Sequence, residues 1–122
     1  IMQFLFQRQP VVDGDRLYAF GMNTPNTVYN GPHINHDWRG FSYFAQMDEA
    51  QVDAGIELTL DVCHRHRIEP VFYYPSTTFD FPRCFQVATI ICHSNCRTDK
   101  TDLCLPQWVL DKIEAAGIRI AS

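Results

Sequence analysis

Several features that would assign a function class are missing from these 122 residues. No apolar run approaches the ~20 residues needed to cross a bilayer as a helix. There is no excess of positive charge. The formal net charge is -4, so neither nucleic acid nor an anionic membrane is favoured as a partner. Glycine is scarce, at six residues, and Gly14, Gly21, Gly31 and Gly40 lie too far apart to form a phosphate-binding loop. Internal repeats and low-complexity tracts are absent. The opening Ile1-Met2-Gln3-Phe4-Leu5-Phe6 is too short for a signal-peptide core and has no basic start. The start at Ile1 reads as that of a fragment or a trimmed subunit.

What is present is the composition of a folded domain. Hydrophobic residues make up 46% and charged residues 20%, at a length that can bury a core without staples. The five cysteines are Cys63, Cys84, Cys92, Cys96 and Cys104. Their odd number and irregular spacing point to reduced thiols and an intracellular, cytoplasmic setting. A Cys92–Cys96 or Cys96–Cys104 bridge is the alternative.

Along the chain, two β-rich runs, Gln3 to Arg8 and Arg16 to Phe20, flank the turn signal Asp13-Gly14-Asp15 and suggest a hairpin. From Asn23 to Asp37, Pro25, Asn26, Asn30, Gly31 and Pro32 predict a long loop. Phe41 to Ala45 reads as a short buried strand. Asp48 with Gln51 forms a capping box, and Val52, Ile56, Leu60 and Cys63 follow at helical spacing, so a helix is expected from Glu49 to Arg67. Val71 to Tyr74 is the next strand. Phe85 to Cys92 is expected as another, on the β-branched Val87, Thr89, Ile90 and Ile91. A second helix is expected from Thr101 or Asp102, with Pro106 in its first turn and Gly117 at its C′ position. Ile118-Arg119-Ile120 opens a last strand.

This order predicts an α+β fold. Residues 35–122 would form a ferredoxin-like antiparallel sheet with two helices on one face. A β-rich segment and loop, 1–34, would precede it, within one structural domain overall.

Three constellations could carry chemistry. Cys63, His64 and His66, with Cys92, His93 and Cys96, are zinc-ligand types. Adjacent helical residues, however, point about 100° apart. Cys63 and His64 therefore diverge, and no metal is expected. Thiol–histidine catalysis has no local signature here. The aromatic residues Tyr73, Tyr74, Phe79, Phe81 and Phe85 lie on and between two expected neighbouring strands. One face of those strands must be core, and the other suits an apolar pocket for a flat ligand. Alternation places Phe72 and Tyr74 on one face and Tyr73 on the other.

The segment Asp37-Trp38-Arg39-Gly40-Phe41-Ser42-Tyr43-Phe44-Ala45 resembles the cap (substrate) domain of the vanillyl-alcohol oxidase and p-cresol methylhydroxylase family of FAD-linked oxidases. That family has a Trp-Arg-Gly turn, an aromatic strand ending in Phe-Ala, a helix, two antiparallel strands, a polar loop and a second helix ending in Gly. The same order runs here from Trp38 to Gly117, over about two thirds of the chain. The resemblance implies an FAD-dependent oxidoreductase of phenols or aromatic alcohols, with FAD and a small aromatic substrate held between this cap and an FAD-binding domain or subunit. It places Cys84 and Phe85 where many members carry a flavin-linking His. It therefore implies a flavin without that His bond, with a Cys84 thioether as the alternative. Phe72, Tyr73 and Tyr74 become the implied substrate-pocket residues. The catalytic residues it implies would lie beyond Ser122 and remain unknown. Without the flavin domain the chain is not catalytically complete. Two rival readings stand beside it. One is a stand-alone ferredoxin-like module that binds a small ligand or forms a homo-oligomer. The other is a metal-binding protein built on Cys63, His64, His66 and the Cys92–Cys96 loop.

Overall fold

The computed structural model describes residues 11–13, 16–18, 29–74, 77–101 and 104–122. The expected strand Gln3 to Arg8 lies outside them. Within them the fold is mixed α/β, with four helices. β1 (Val11–Asp13) and β2 (Arg16–Tyr18) pair antiparallel, with Asp13 opposite Arg16.

A second hairpin is formed by β3 (His33–Trp38) and β4 (Phe41–Ala45), with a register irregularity between Asn35 and Trp38. β3 corrects the expected loop from Asn23 to Asp37 over its last residues. His, Asn and Asp are poor strand formers, but the aromatic β4 and a tight turn recruit them into a ladder. Arg39 (φ 50°) and Gly40 (φ 86°) both take left-handed backbone between the paired Trp38 and Phe41. This is the type I′ geometry that matches strand twist.

α1 (Glu49–Arg65) forms where expected and ends two residues earlier. Asp48 caps it by accepting the Gln51 N–H at 2.7 Å. α4 (Gln107–Ala115) starts after Pro106, later than Thr101 or Asp102, because Pro106 has no N–H to donate inside the helix. Gly117 follows its C-cap at φ 92°.

The central β5 (Val71–Tyr73) pairs parallel with β6 (Arg119–Ala121), and Phe72 also bridges Ile90 in parallel. This differs from the expected antiparallel ferredoxin-like sheet, since antiparallel pairing among the described strands is confined to the two hairpins. The expected strand Phe85 to Cys92 is also corrected. Phe81–Val87 is a helix, α2, and strand-like pairing is reduced to Ile90. Asp80 caps α2 by accepting the Arg83 N–H at 3.1 Å, and Pro82 sits in its first turn. These local start signals outweigh the β-branched residues, which come only at its end. A short α3 (His93–Cys96) follows.

β5 is buried along its whole length. On one face Phe72 packs with Met47, Val52, Val109, Leu110, Ile113 and Ile118. Lys112 joins α4 to α1 over that core, reaching Glu49 at 2.9 Å and Asp53 at 2.8 Å. The opposite face of β5 meets α2. No described helix is long and apolar enough to cross a membrane.

Candidate functional site

The α2 side of β5 gathers the residues with chemistry. The fold divides the three expected pocket rings. Phe72 is committed to the aliphatic core, Tyr73 is buried on the opposite face, and Tyr74 is at the surface. The separation of Phe72 from Tyr73 follows from strand alternation. Tyr74 lies just past β5, where its N–H still donates to the Ala121 carbonyl at 2.8 Å.

Burial holds the Tyr73 hydroxyl above its ordinary pKa. The charges of Asp80 and Cys84 add to the rise, and Arg83 opposes it. Cys84 projects from α2 into the same region and is fully buried. Its Sγ–H donates to the Phe81 carbonyl at 3.3 Å. Burial first, and then the nearby Cys96, push this thiol's pKa up. A thioether to flavin needs a thiol that the ring can reach, and the buried Cys84 does not fit that role. Its neighbour Phe85 is 56% exposed.

Phe85 packs against Phe81 one helical turn earlier, with ring centroids 5.0 Å apart and planes tilted by 58°. Phe79 and Phe81 are also exposed, so three large rings reach solvent within seven residues of chain. Rings standing in water along one short segment are a surface that folding alone does not call for.

The segment before α2 is fixed from two directions. Asn95 is fully buried on α3. Its Nδ2 donates to the Thr78 carbonyl at 2.7 Å, and its Oδ1 accepts the Cys92 N–H at 2.8 Å. From the hairpin, the Arg39 guanidinium lies 4.4 Å from the Trp38 ring centroid and 5.7 Å from that of Phe79. Beside it, the Trp38 Nε1–H is buried with no acceptor among the described residues. Such a donor costs about 1–3 kcal/mol until something accepts it.

Sequence reasoning singled out Phe79, Phe81 and Phe85 but missed Asn95 and the roles of Trp38 and Arg39. A polar residue in a loop gives no sequence signal that it is buried. Cys63, His64 and His66 do not converge with Cys92, His93 and Cys96, and no cluster of metal-ligating side chains occurs among the described residues. The five cysteines form no disulfide.

Comparison with protein-family models, with characterised proteins and with solved structures finds no match for the chain.

Proposed function

We propose that the chain is the cap (substrate) portion of an FAD-dependent oxidoreductase acting on phenolic or other aromatic compounds, incomplete without an FAD-binding domain or subunit. The observation that carries the reading is the exposed row Phe79, Phe81 and Phe85 beside the Trp38-Arg39-Gly40 turn. Flat apolar rings are the surface against which an isoalloxazine or an aromatic substrate is held. In this reading FAD supplies the hydride acceptor. The residues of this chain supply a water-excluding aromatic wall, with Phe85 as the flavin-facing ring and Tyr74 bordering the substrate.

The test is an intact mass and a visible spectrum of the protein isolated from its source. Flavin absorbance travelling with the chain or with a larger species that contains it supports the reading. A colourless species of 14.1 kDa overturns it. That result favours the alternative, a stand-alone module that binds a small ligand or a second copy through its aromatic surface.

A further inference from the structure

Arg39 stands where a type I′ turn favours Asn, Asp or Gly. A side chain at positive φ costs roughly 1–2 kcal/mol relative to ordinary backbone. The backbone therefore does not explain an arginine here, and its side chain must supply the compensation. The guanidinium donates to three main-chain carbonyls of one short stretch, those of Ser94 (3.2 Å), Arg97 and Lys100. Its flat faces meet Trp38 and Phe79. Asp99, the carboxylate within that stretch, is occupied by Arg97 at 2.6 Å. Arg39 forms no ion pair with a described carboxylate. The cation is thus held by carbonyl dipoles and π faces, an arrangement that suits a planar, weakly hydrated group and that salt screens poorly.

We propose that the carbonyls of Ser94, Arg97 and Lys100, walled by Trp38 and Phe79, form a guanidinium-binding site that Arg39 occupies from within the chain. Arg39 is thereby a latch. The β3–β4 hairpin joins the core at its base, where Met47 packs. At its tip Arg39 fastens residues 94–100, whose α3 in turn holds Thr78 through Asn95. Opening the latch frees that loop and uncovers Trp38. The inference rests on side-chain geometry and stands whether or not the chain belongs to a flavoenzyme.

The test is hydrogen exchange of peptides covering residues 92–101 in the whole chain, with circular dichroism as a check on folding. The reporters are the amides of Asn95 and Arg97, which donate to the Cys92 and His93 carbonyls at 3.0 Å. In R39A, exchange there is expected to rise about tenfold while the α1 amides keep their protection. Guanidinium chloride at about 50 mM, far below denaturing levels, is expected to reverse the rise saturably, and sodium chloride at equal ionic strength is not. R39K retains the charge but not the planar fork, and is expected to fall between the two. Trypsin gives a second readout, since the bonds after Arg97 and Lys100 have their carbonyls in the site and should be cut faster in R39A. Wild-type exchange in a folded R39A overturns the latch. A rise that guanidinium does not reverse overturns the site. If R39A does not fold, R39K decides: faster exchange at 92–101 supports the proposal, and wild-type exchange overturns it.

Discussion

The two faces of β5 differ in kind. Phe72 meets an aliphatic layer from α1 and α4, built from Val52, Val109, Leu110 and Ile113. Tyr73 meets a phenol–thiol–carboxylate neighbourhood under α2, beyond which three phenylalanines reach water. The first face is what a folded chain needs, since it is dry, closely packed and free of groups that demand partners. The second keeps titratable groups under cover and leaves large rings exposed, which stability does not reward. The contrast separates holding the fold from meeting a ligand by the thickness of one strand, and mutations on the two sides should part accordingly.

The largest effect is expected on the aliphatic face. Phe72→Ala opens a cavity between β5 and two helices and should cost about 3–5 kcal/mol. That is a large share of the stability of a domain this size. Urea denaturation should show the midpoint falling sharply or the transition disappearing. A loss below about 1 kcal/mol would mean that the two faces do not divide as described.

Next in size is the polar pin that supports the α2 side. Asn95→Ala deprives the Cys92 N–H of its acceptor and the Thr78 carbonyl of its donor. Leaving such groups unpaired in the interior costs about 1–3 kcal/mol. The loss should appear in the same denaturation experiment, accompanied by faster exchange around Thr78.

How much of this contrast the sequence conveyed depended on how local the cause was. α1 was legible because its cap, Asp48, and its apolar spacing lie within one stretch of chain, and β4, β5 and β6 were legible from short β-prone runs. β3 was not, because His33 to Trp38 is a strand only through its partner. The stretch after Asp80 was misread because two local signals compete there. Asp80 and Pro82 start a helix, while Val87 to Ile91 argue for a strand, and propensity alone does not rank them. Parallel pairing of β5 with β6 depends on contacts some 48 residues apart in sequence, beyond any local pattern. Of the candidate site, the rings could be named in advance, but their assignment to core or surface could not. The clasp of Arg39 on carbonyls more than 50 residues away left no trace in composition or spacing.

A smaller effect follows from the buried acids. Burial raises the thiols of Cys63, Cys84 and Cys104 and the hydroxyl of Tyr73 above their ordinary values. Each is an acid whose folded-state pKa is the higher one. The native state therefore keeps protons that the unfolded chain releases. The stabilisation is complete below the ordinary thiol value and declines as pH rises through it, from about pH 8.5 upward. Midpoints of urea denaturation in the presence of reductant should be level near neutrality and fall between pH 8.5 and 10. In Cys84→Ser the fall should be shallower, because one of the proton-retaining groups is gone. A midpoint that rose over this range would overturn the view that these groups are held neutral.

The smallest effect on stability is expected at the exposed rings, and there the contrast becomes sharpest. Phe81 and Phe85 gain little from burial, so F81A and F85A should each change stability by no more than about 0.5–1 kcal/mol. A surface kept for a ligand behaves differently from a surface kept for the fold. If the row from Phe79 to Phe85 meets a flavin or an aromatic substrate, F85A should weaken that binding several-fold in the flavin-containing protein while leaving the denaturation midpoint almost unmoved. Titration by flavin fluorescence, run beside the denaturation curve, gives both numbers on one sample. A loss of binding without loss of stability assigns these rings to recognition. A loss of several kcal/mol in stability would instead place Phe85 in the support of the fold, and the division between the two faces of β5 would fail on the side where it was thought to be functional.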